Sequence, residues 1–262
     1  MSQQPAAWSD LRQRFERIGD RFAFVIPVYN HARTVRQVAL EAACSGSPVW
    51  VIDDGSTDET AVVLRELPGV TVLRHEVNQG KGAALLTGMQ AAAAAGIRWV
   101  VTVDSDGQHV PSEAIRLLDA VCDQKRAAIV LGCREGMAGP RVPWTSRWGR
   151  RFSNFWVWVV GGPWVSDSQT GFRVYPVREI LRLPLRARRF QFEVEVLVCA
   201  RRAGIAVLGV PVSVEYAPPG GRISHFRPWL DFWRNTTTLG RLFFLRFTPT
   251  PALPPKVDSD AP

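Results

Sequence analysis

The stretch Trp99–Asp106, with the sequence WVVTVDSD, joins an apolar run to two carboxylates one residue apart. Such a run is typical of a buried strand in a parallel sheet, and the carboxyl ends of these strands face the crevice where open α/β folds bind ligands. Residues i and i+2 share one side of an extended segment, so Asp104 and Asp106 can reach one hard cation. The stretch therefore predicts an α/β fold with a metal site at the end of this strand.

Strands and helices alternate around this stretch. The predicted strands are Phe22–Pro27, Pro48–Asp53, Val70–His75, Trp99–Asp104 and Ala127–Gly132. The predicted helices between them are Ala32–Ala43, Thr57–Leu67, Gly82–Ala95 and Pro111–Cys122, and Ser56–Glu59 resembles a capping box. This alternation predicts βαβ units and a mostly parallel, Rossmann-like sheet flanked by helices.

The alternation ends after Gly132. Residues 134–162 are rich in Arg, Gly, Pro and Trp, and a polar loop then leads into a short strand within Ser166–Pro176. A helix over Phe190–Ala203 and a strand over Ile205–Val214 follow. We therefore predict an N-terminal extension (1–20), a single domain (21–250) with a nucleotide-binding half (21–133) and a second half (134–250), and a disordered tail (251–262).

The composition limits the partners and the compartment. The chain of 262 residues has a formal net charge of +8, which indicates acidic partners such as phosphorylated small molecules, anionic lipid or nucleic acid. Its four cysteines are far apart, so neither a zinc site nor a disulfide framework is expected. No secretory signal precedes Asp20 and no apolar run approaches the length of a membrane span, so we expect a cytoplasmic protein.

Other residues are predicted to line the same crevice. Asp53 ends the second strand, where a carboxylate can accept hydrogen bonds from a nucleobase or ribose. Tyr29 follows the first strand and either stacks on a base or lies in a surface loop. In Asn78–Gly82 the glycines let the backbone approach a ligand and Lys81 offers positive charge, while Arg134 is placed to meet a diphosphate. Asn78–Gly82 matches neither the P-loop nor the dinucleotide motif, which argues against both of those enzyme classes.

These motifs resemble family 2 glycosyltransferases with the GT-A fold. The resemblance rests on Phe24–Asn30 (FVIPVYN), Asp53–Asp58 (DDGSTD), Asn78–Gly82 (NQGKG) and Asp104–Gln108 (DSDGQ), and it covers Phe22 to about Tyr175. Gln169–Arg173 (QTGFR) and Gly132–Arg134 (GCR) are similar to the branch of polyprenyl-phosphate and dolichyl-phosphate mannose or glucose synthases. The Gln-x-x-Arg-Trp motif of processive polysaccharide synthases is absent, which implies one sugar per turnover.

The resemblance implies roles for individual residues. The implied donor-binding residues are Pro27, Tyr29, Asn30, Asp53, Lys81, Asp104 and Arg134. The implied ligands of Mg²⁺ or Mn²⁺ are Asp104, Asp106 and Gln108, and Asp106 and Arg134 are implied to act in catalysis. The implied contacts to the acceptor or its phosphate are Gln169, Thr170, Arg173, Arg222, Ser224 and His225. His225 stands where the family often has Lys, so that contact belongs either to Arg222 or to a pH-dependent His225. His31 likewise stands where an acidic residue is common.

The chemistry of the acceptor separates two readings. A phosphate monoester, with a second pKa of about 6, is already an anionic nucleophile near neutrality, whereas a hydroxyl needs a general base. The first reading is a metal-dependent inverting transferase that moves one hexose from UDP- or GDP-hexose to a polyprenyl phosphate. The alternative is a soluble, protein or glycan hydroxyl acceptor with Asp167 as the base, and Glu193 and Glu195 are weaker candidates for that role.

Two segments suggest contact with a membrane surface. Arginines at positions 141, 147, 150 and 151 precede the aromatic stretch Phe152–Val160, and Trp229–Trp233 precedes Leu242–Leu245. Core packing explains part of this pattern, but basic residues beside Trp, Phe and Leu on helices also fit the bilayer interface. We expect C-terminal interfacial helices and peripheral attachment at the cytoplasmic face. We expect no nucleic-acid partner, because the sequence has no RNP-like, zinc or helix-turn-helix signature.

Overall fold

Seven strands form one mixed sheet in the order β3-β2-β1-β4-β6-β5-β7. The computed structural model describes residues 4–122, 126–134, 153–214, 228–245 and 247–248. The strands are β1 (Phe22–Val28), β2 (Val49–Asp53), β3 (Thr71–Arg74), β4 (Trp99–Thr102), β5 (Ala128–Arg134), β6 (Arg173–Pro176) and β7 (Ala206–Val212). The neighbouring strands are parallel except at β6, which runs antiparallel to both β4 and β5. The predicted α/β class is confirmed.

Helices cover both faces of this sheet. They are α1 (Gln4–Arg17), α2 (Ala32–Ala43), α3 (Thr60–Arg65), α4 (Lys81–Ala94), α5 (Ala114–Cys122), α6 (residues 153–159), α7 (Val177–Ile180), α8 (Phe192–Arg202) and α9 (Pro228–Leu245). Alternate residues of β1 enter two cores: Phe24 and Ile26 pack with α1, α2 and α5, whereas Ala23 and Val25 pack with α4 and α8. This two-sided burial explains why the strand sequences are continuously apolar.

The predicted elements are present with shifted ends. The predicted bounds of α2 are confirmed, whereas β4 ends at Thr102 rather than Asp104. The helix predicted from Thr57 begins at Thr60, and Ser56 forms no capping box: its hydroxyl accepts the N–H of Asn30, while Asp58 Oδ1 accepts the N–H of Thr60. The helix predicted from Pro111 starts with a 3₁₀ turn, Pro111–Glu113, before α5.

Helix α1 was not predicted, and it belongs to the core. Trp8, Leu11 and Phe15 are almost fully buried, and the rings of Trp8 and Phe15 contact Phe22. Residues 4–17 are therefore packed against the sheet rather than forming a separate extension. No helix within the described ranges is both long and apolar enough to span a bilayer. The predicted tail, residues 251–262, lies outside the described residues.

The strand register defines the edge that carries the candidate site. Val28 pairs with Asp53 and Arg134 pairs with Val212, so β1, β2, β5 and β7 end at the same edge of the sheet. Strand β6 starts at this edge, because its first residue, Arg173, pairs with Thr102 of β4. The loops that follow these strands therefore meet the loop that precedes β6.

Candidate functional site

The two predicted metal-binding carboxylates lie just beyond β4, at the carboxyl edge of the sheet. Asp104 and Asp106 are half-buried, and the backbone N–H of Gln108 donates to Asp106 Oδ1 at 3.0 Å. Burial raises the pKa of Asp106, and the negative charge of Asp104 adds to this rise. The structure thus places two mutually repelling carboxylates where a cation would relieve their repulsion.

The donor set fits a divalent cation of the Mg²⁺ type. In the described ranges, no group of three or more His, Cys, Asp or Glu side chains is placed to hold a metal ion. Mg²⁺ is commonly held by one or two carboxylates and completed by waters and substrate phosphates. Asp104 and Asp106 supply two carboxylates, and Gln108, whose side-chain oxygen is the third predicted ligand, follows them in the sequence. This set matches that open type of site.

Lys81, the first residue of α4, lies between two carboxylates. Its Nζ is 2.6 Å from Asp104 Oδ1 and 2.5 Å from Glu193 Oε1 at the start of α8. Burial would lower the pKa of Lys81, but the charges of Asp104 and Glu193 outweigh burial and raise it. Burial disfavours ionisation of Asp104, yet Lys81 holds the pKa of Asp104 below its usual range. Lys81 is therefore charged and directed at the predicted metal site, and Glu193 is its second partner.

Gly171, in the loop before β6, leaves room for the Asp104 side chain. A Cβ at Gly171 would lie 2.6 Å from Asp104 Cγ, and the carbonyl of Gly171 accepts a 2.7 Å hydrogen bond from Thr102 Oγ1. The predicted motif Gln169–Arg173 therefore contacts the metal-site segment through its backbone. Within this motif Gln169 is exposed, whereas Thr170 is buried and its hydroxyl accepts the N–H of Phe172.

Arg134 and Asp167 form a bidentate ion pair. Arg134 Nε and Nη2 lie 2.6 and 2.9 Å from the two carboxylate oxygens of Asp167, which is fully buried. Both oxygens of the predicted alternative base are thus bonded to a guanidinium. Asp167 orients Arg134 at the end of β5, which is a positioning role and differs from the role of a free base.

Arg173 does not take the predicted acceptor-binding position. Its side chain is fully buried, and its guanidinium donates to the carbonyls of Ser168, Thr170 and Glu193 and to the hydroxyl of Tyr175. Each of the three guanidinium nitrogens of Arg173 donates a hydrogen bond to the protein. A substrate phosphate that bound Arg173 would have to break this network. Arg173 stabilises the loop that leads into β6 and also the first turn of α8.

The loops after β1 and β2 are fastened together by Asn30. Its side-chain oxygen accepts the N–H groups of Thr57 and Asp58, and its Nδ2 donates to Thr57 Oγ1 at 3.2 Å. Asn30 has a positive φ of 55°. These contacts hold the loops after β1 and β2 together, and the role of Asn30 in holding the donor stays a prediction.

The remaining predicted donor-binding residues lie at the same edge. Pro27 is buried in β1 and Tyr29 is half-buried after its end. Asp53 is buried, its Oδ1 accepts the N–H of Ser56, and its Oδ2 lies 3.2 Å from Arg74 Nη1 with no hydrogen bond. The structure thus leaves one buried oxygen of Asp53 able to accept a further hydrogen bond.

The glycines of Asn78–Gly82 make room for the segment that precedes α8 and for its first residue. A Cβ at Gly80 would lie 2.6 Å from the carbonyl oxygen of Arg188, and one at Gly82 would lie 2.6 Å from Phe192 Cβ. The N–H of Ala83 also donates to Arg188 O. The segment before α8 therefore packs on this turn, and the approach of a ligand to its backbone stays a prediction.

Two polar groups near the site were not predicted. Asp54 accepts hydrogen bonds from the N–H groups of Gln79 and Gly80 and contacts His75 Nδ1 at 2.7 Å, which joins the loops after β2 and β3. His109 is buried and stacked on Phe172, and its Nδ1 has no hydrogen bond. Only the proximity of His109 to Asp106 in the sequence could have indicated its place.

Several predicted residues lie outside the described part of the chain. They are Arg141, Arg147, Arg150, Arg151, Phe152, Arg222, Ser224 and His225, and the side chains of 228–236 are likewise not described.

Glu195 is not a base: it accepts the N–H groups of Arg186 and Ala187 and pairs with Arg241.

Several known proteins are similar to this chain in sequence. The relatives include a UDP-N-acetylglucosamine–dolichyl-phosphate N-acetylglucosaminyltransferase of Methanococcus voltae, 27% identical over 73% of this chain and 84% of its own length. They also include an undecaprenyl-phosphate mannosyltransferase of Micrococcus luteus, 29% identical over 74% of this chain and 83% of the relative.

A solved structure is similar throughout the fold. Glucosyl-3-phosphoglycerate synthase from Mycobacterium tuberculosis superposes with a TM-score of 0.68 at 21% identity, and the match covers 90% of this chain and 84% of that protein. At this identity the likeness shows the fold alone, and it confirms the GT-A prediction. The sequence profile described as Glycosyl transferase family 2 matches residues 23–181, which contain both carboxylates and the Arg134–Asp167 pair. The chain is therefore a glycosyltransferase and belongs to glycosyl transferase family 2.

Proposed function

We propose that this glycosyltransferase moves one hexose from a nucleoside-diphosphate sugar to a polyprenyl phosphate. The observation that carries the proposal is the state of the carboxylates in the crevice. Asp167 is bonded through both oxygens to Arg134, and Glu193 is bonded to Lys81. An acceptor hydroxyl would need one of them as a base, whereas an acceptor phosphate needs none. The names of the relatives from Methanococcus voltae and Micrococcus luteus, which specify lipid phosphates, support the same acceptor.

The donor diphosphate would bind at the carboxyl edge of the sheet. Asp104 and Asp106, assisted by Gln108, would hold Mg²⁺ or Mn²⁺. The cation would supply charge stabilisation for the departing nucleoside diphosphate. Arg134, oriented by Asp167, would contact the same phosphates, and Asp53 Oδ2 would accept a hydrogen bond from the base or ribose. UDP- and GDP-sugars both satisfy these contacts.

The reaction would be an in-line displacement. An oxygen of the acceptor phosphate attacks the anomeric carbon, the bond from that carbon to the diphosphate oxygen breaks, and the nucleoside diphosphate leaves with the bonding electrons. The configuration at the anomeric carbon inverts. The side chains that assist this step do so by positioning and charge, which are supplied here by Arg134 and Lys81.

A membrane surface would present the acceptor. Two exposed aromatic clusters support this part of the proposal: Phe155, Trp158 and Trp164 form one, and Phe243, Phe244 and Phe247 form the other. Arg201 and Arg202 lie between the two clusters. Both arginines line a pocket with Trp158 of the first cluster, and Arg202 donates to the carbonyl of Thr248, the residue after Phe247 of the second cluster. Aromatic rings beside arginines suit the bilayer interface.

The direction of α9 would bring the crevice close to that surface. Arg241 pairs with Glu195, in the first turn of α8, and Thr248 accepts a hydrogen bond from Arg202, in its last turn. The segment from Arg241 to Thr248 therefore runs in the same direction as α8, and Glu193, in the first turn of α8, lies beside Lys81. A bilayer lying along α9 would reach from the aromatic clusters toward the carboxyl edge, where the acceptor phosphate must enter.

The test is release of nucleoside diphosphate from a panel of UDP- and GDP-sugars. Reactions contain Mg²⁺ or Mn²⁺, with and without undecaprenyl phosphate, and Asp106→Ala serves as the inactive control. The proposal predicts release from one donor that requires the lipid phosphate and disappears in the variant. Donor hydrolysis that ignores the lipid, or full activity of Asp106→Ala, would contradict it.

A further inference from the structure

Glu193 has a function that the donor and acceptor sites do not assign to it. It lies 112 residues from Lys81 in sequence, yet its carboxylate contacts the Lys81 ammonium in a site where both side chains are largely buried. The same ammonium contacts Asp104 at 2.6 Å. Lys81 thus contacts two carboxylates: Asp104, which a cation would bind, and Glu193, which it would not bind.

We infer that Glu193 is a positioning residue that holds Lys81 when a divalent cation takes Asp104. The inference rests on the proposed function, because it requires a cation at Asp104 and Asp106. A cation and the Lys81 ammonium compete for the same carboxylate. Glu193 lowers the free-energy cost of replacing Lys81 by the cation at Asp104, because Glu193 remains a charged partner of Lys81 after that replacement. Lys81 then remains at the crevice with its other protons available to the donor phosphates.

The backbone around Glu193 fixes it independently of Asp104. The carbonyl of Glu193 accepts a 3.0 Å hydrogen bond from the buried guanidinium of Arg173. Phe192, the preceding residue, packs against the turn at Gly82, next to Lys81. The start of α8 and the start of α4 are therefore held together by packing, and Glu193 stays beside Lys81 whatever Asp104 binds.

The inference predicts opposite effects of two substitutions on cation binding alone. In Glu193→Gln, Asp104 is the anionic partner of Lys81 that remains in the described ranges, so Lys81 competes harder with the cation and Mn²⁺ should bind about fivefold more weakly or worse. In Lys81→Met the competitor is gone, and Mn²⁺ should bind more tightly by a similar factor. Titration of free Mn²⁺ by electron paramagnetic resonance, without donor or acceptor, measures both affinities.

A double variant separates positioning from simple charge. If Glu193 acts through Lys81, then Glu193→Gln should change Mn²⁺ affinity much less in the Lys81→Met background than in the unaltered protein. Glu179→Gln is the matched control, because it removes a carboxylate that is paired with Arg98 instead of with Lys81. That variant should bind Mn²⁺ like the unaltered protein, and circular dichroism establishes that every variant is folded.

The possible outcomes differ for the two proposals. Equal Mn²⁺ affinity of folded Glu193→Gln and the unaltered protein would overturn the inference and leave the proposed function standing. So would an equally large effect of Glu193→Gln with and without Lys81. Failure of the unaltered protein to bind Mn²⁺ would reject the metal site of the proposed function, and the inference with it.

Discussion

Charged side chains in this crevice are held by partners from distant parts of the sequence. Arg134 is oriented by Asp167, and Lys81 is oriented by Asp104 and Glu193. Pairing of this kind restricts each long side chain to one geometry, which is what transfer chemistry requires of groups that stabilise a leaving phosphate. It also means that the loss of one partner leaves a buried charge without compensation.

Arg173 should be a stability residue rather than a catalytic one. Arg173→Met leaves three buried carbonyl acceptors without their donor, at Ser168, Thr170 and Glu193. We expect the free energy of unfolding to fall by at least about 3 kcal/mol, measured by chemical denaturation. The exposed Arg178, changed in the same way, should have an effect below about 0.5 kcal/mol. Equal effects of the two substitutions would refute the structural role.

His109 should remain neutral in weakly acidic solution. Burial lowers its pKa from 6.5 to about 4, and the charge of Asp104 only partly opposes that shift. The unfolded chain then binds a proton that the folded chain does not, so stability falls as the pH drops from 6.5 toward 4. The contribution of this one group amounts to about 3 kcal/mol at most.

Two measurements on the metal-free protein check this prediction. Nuclear magnetic resonance of the imidazole follows the titration directly. In His109→Phe, which keeps a ring against Phe172, unfolding at pH 5 and pH 7 should differ less than in the unaltered protein. Titration of the native imidazole near its ordinary value of 6.5 would be incompatible with a buried ring whose Nδ1 has no hydrogen bond.

At the scale of secondary structure elements, the loop before β6 controls the metal site through Gly171. Gly171→Ala would place a methyl group against the Asp104 carboxylate, 2.6 Å from its Cγ. We expect Mn²⁺ affinity and turnover to fall at least about tenfold, because sites of this kind tolerate only displacements that are well below about 1 Å. The control is Gly240→Ala in α9, where nothing lies within 4 Å of the added methyl. A folded Gly171→Ala protein with normal Mn²⁺ binding would contradict the proposed site.

Helix α1 should be required for stability. Its Trp8 and Phe15 side chains are 2% and 1% exposed, and both contact the first strand. Replacing either with Ala should lower the free energy of unfolding by about 3–5 kcal/mol. Ile18, which is 52% exposed just after the helix, provides the control, and Ile18→Ala should change it by less than about 1 kcal/mol. Melting curves that fail to distinguish these variants would show that α1 is a detachable extension.

The local signals predicted most elements but not their long-range pairing. Periodicity and turn residues located α2, β5 and α8 within a few residues, because these signals are read from neighbouring positions. Trp8, Leu11 and Phe15 have helical spacing, so α1 could have been predicted. The insertion of β6 between β4 and β5 could not, because strand order depends on packing between distant segments. The Lys81–Glu193 contact is hidden for the same reason.

The whole molecule has an uneven surface. The large aromatic side chains that are exposed in the described ranges all belong to the second half of the domain: Phe155, Trp158, Trp164, Phe190, Phe243, Phe244 and Phe247. The chain also carries a net charge of +8. From these properties we expect the protein to associate with an anionic bilayer.

Vesicle binding tests this surface. The protein should co-sediment with vesicles that contain anionic phospholipid, and raised salt should weaken the binding because the charge attraction is screened. The double variant Trp158→Ser, Trp164→Ser should bind several-fold more weakly. Ile18→Ser, an apolar-to-polar change outside both aromatic clusters, should bind normally. Equal binding of both variants would assign the membrane contact to a different surface.

The choice between a phosphate and a hydroxyl acceptor can be tested by comparing two lipids. Initial rates of nucleoside diphosphate release are measured with undecaprenyl phosphate and with undecaprenol, in the same vesicles and with the active donor. Because Asp167 and Glu193, two of the carboxylates predicted as bases, are paired with Arg134 and Lys81, the phosphate should react at least about 100-fold faster than the alcohol. Comparable rates with the alcohol, abolished by Asp167→Asn, would show that Asp167 is a catalytic base and that the acceptor is a hydroxyl.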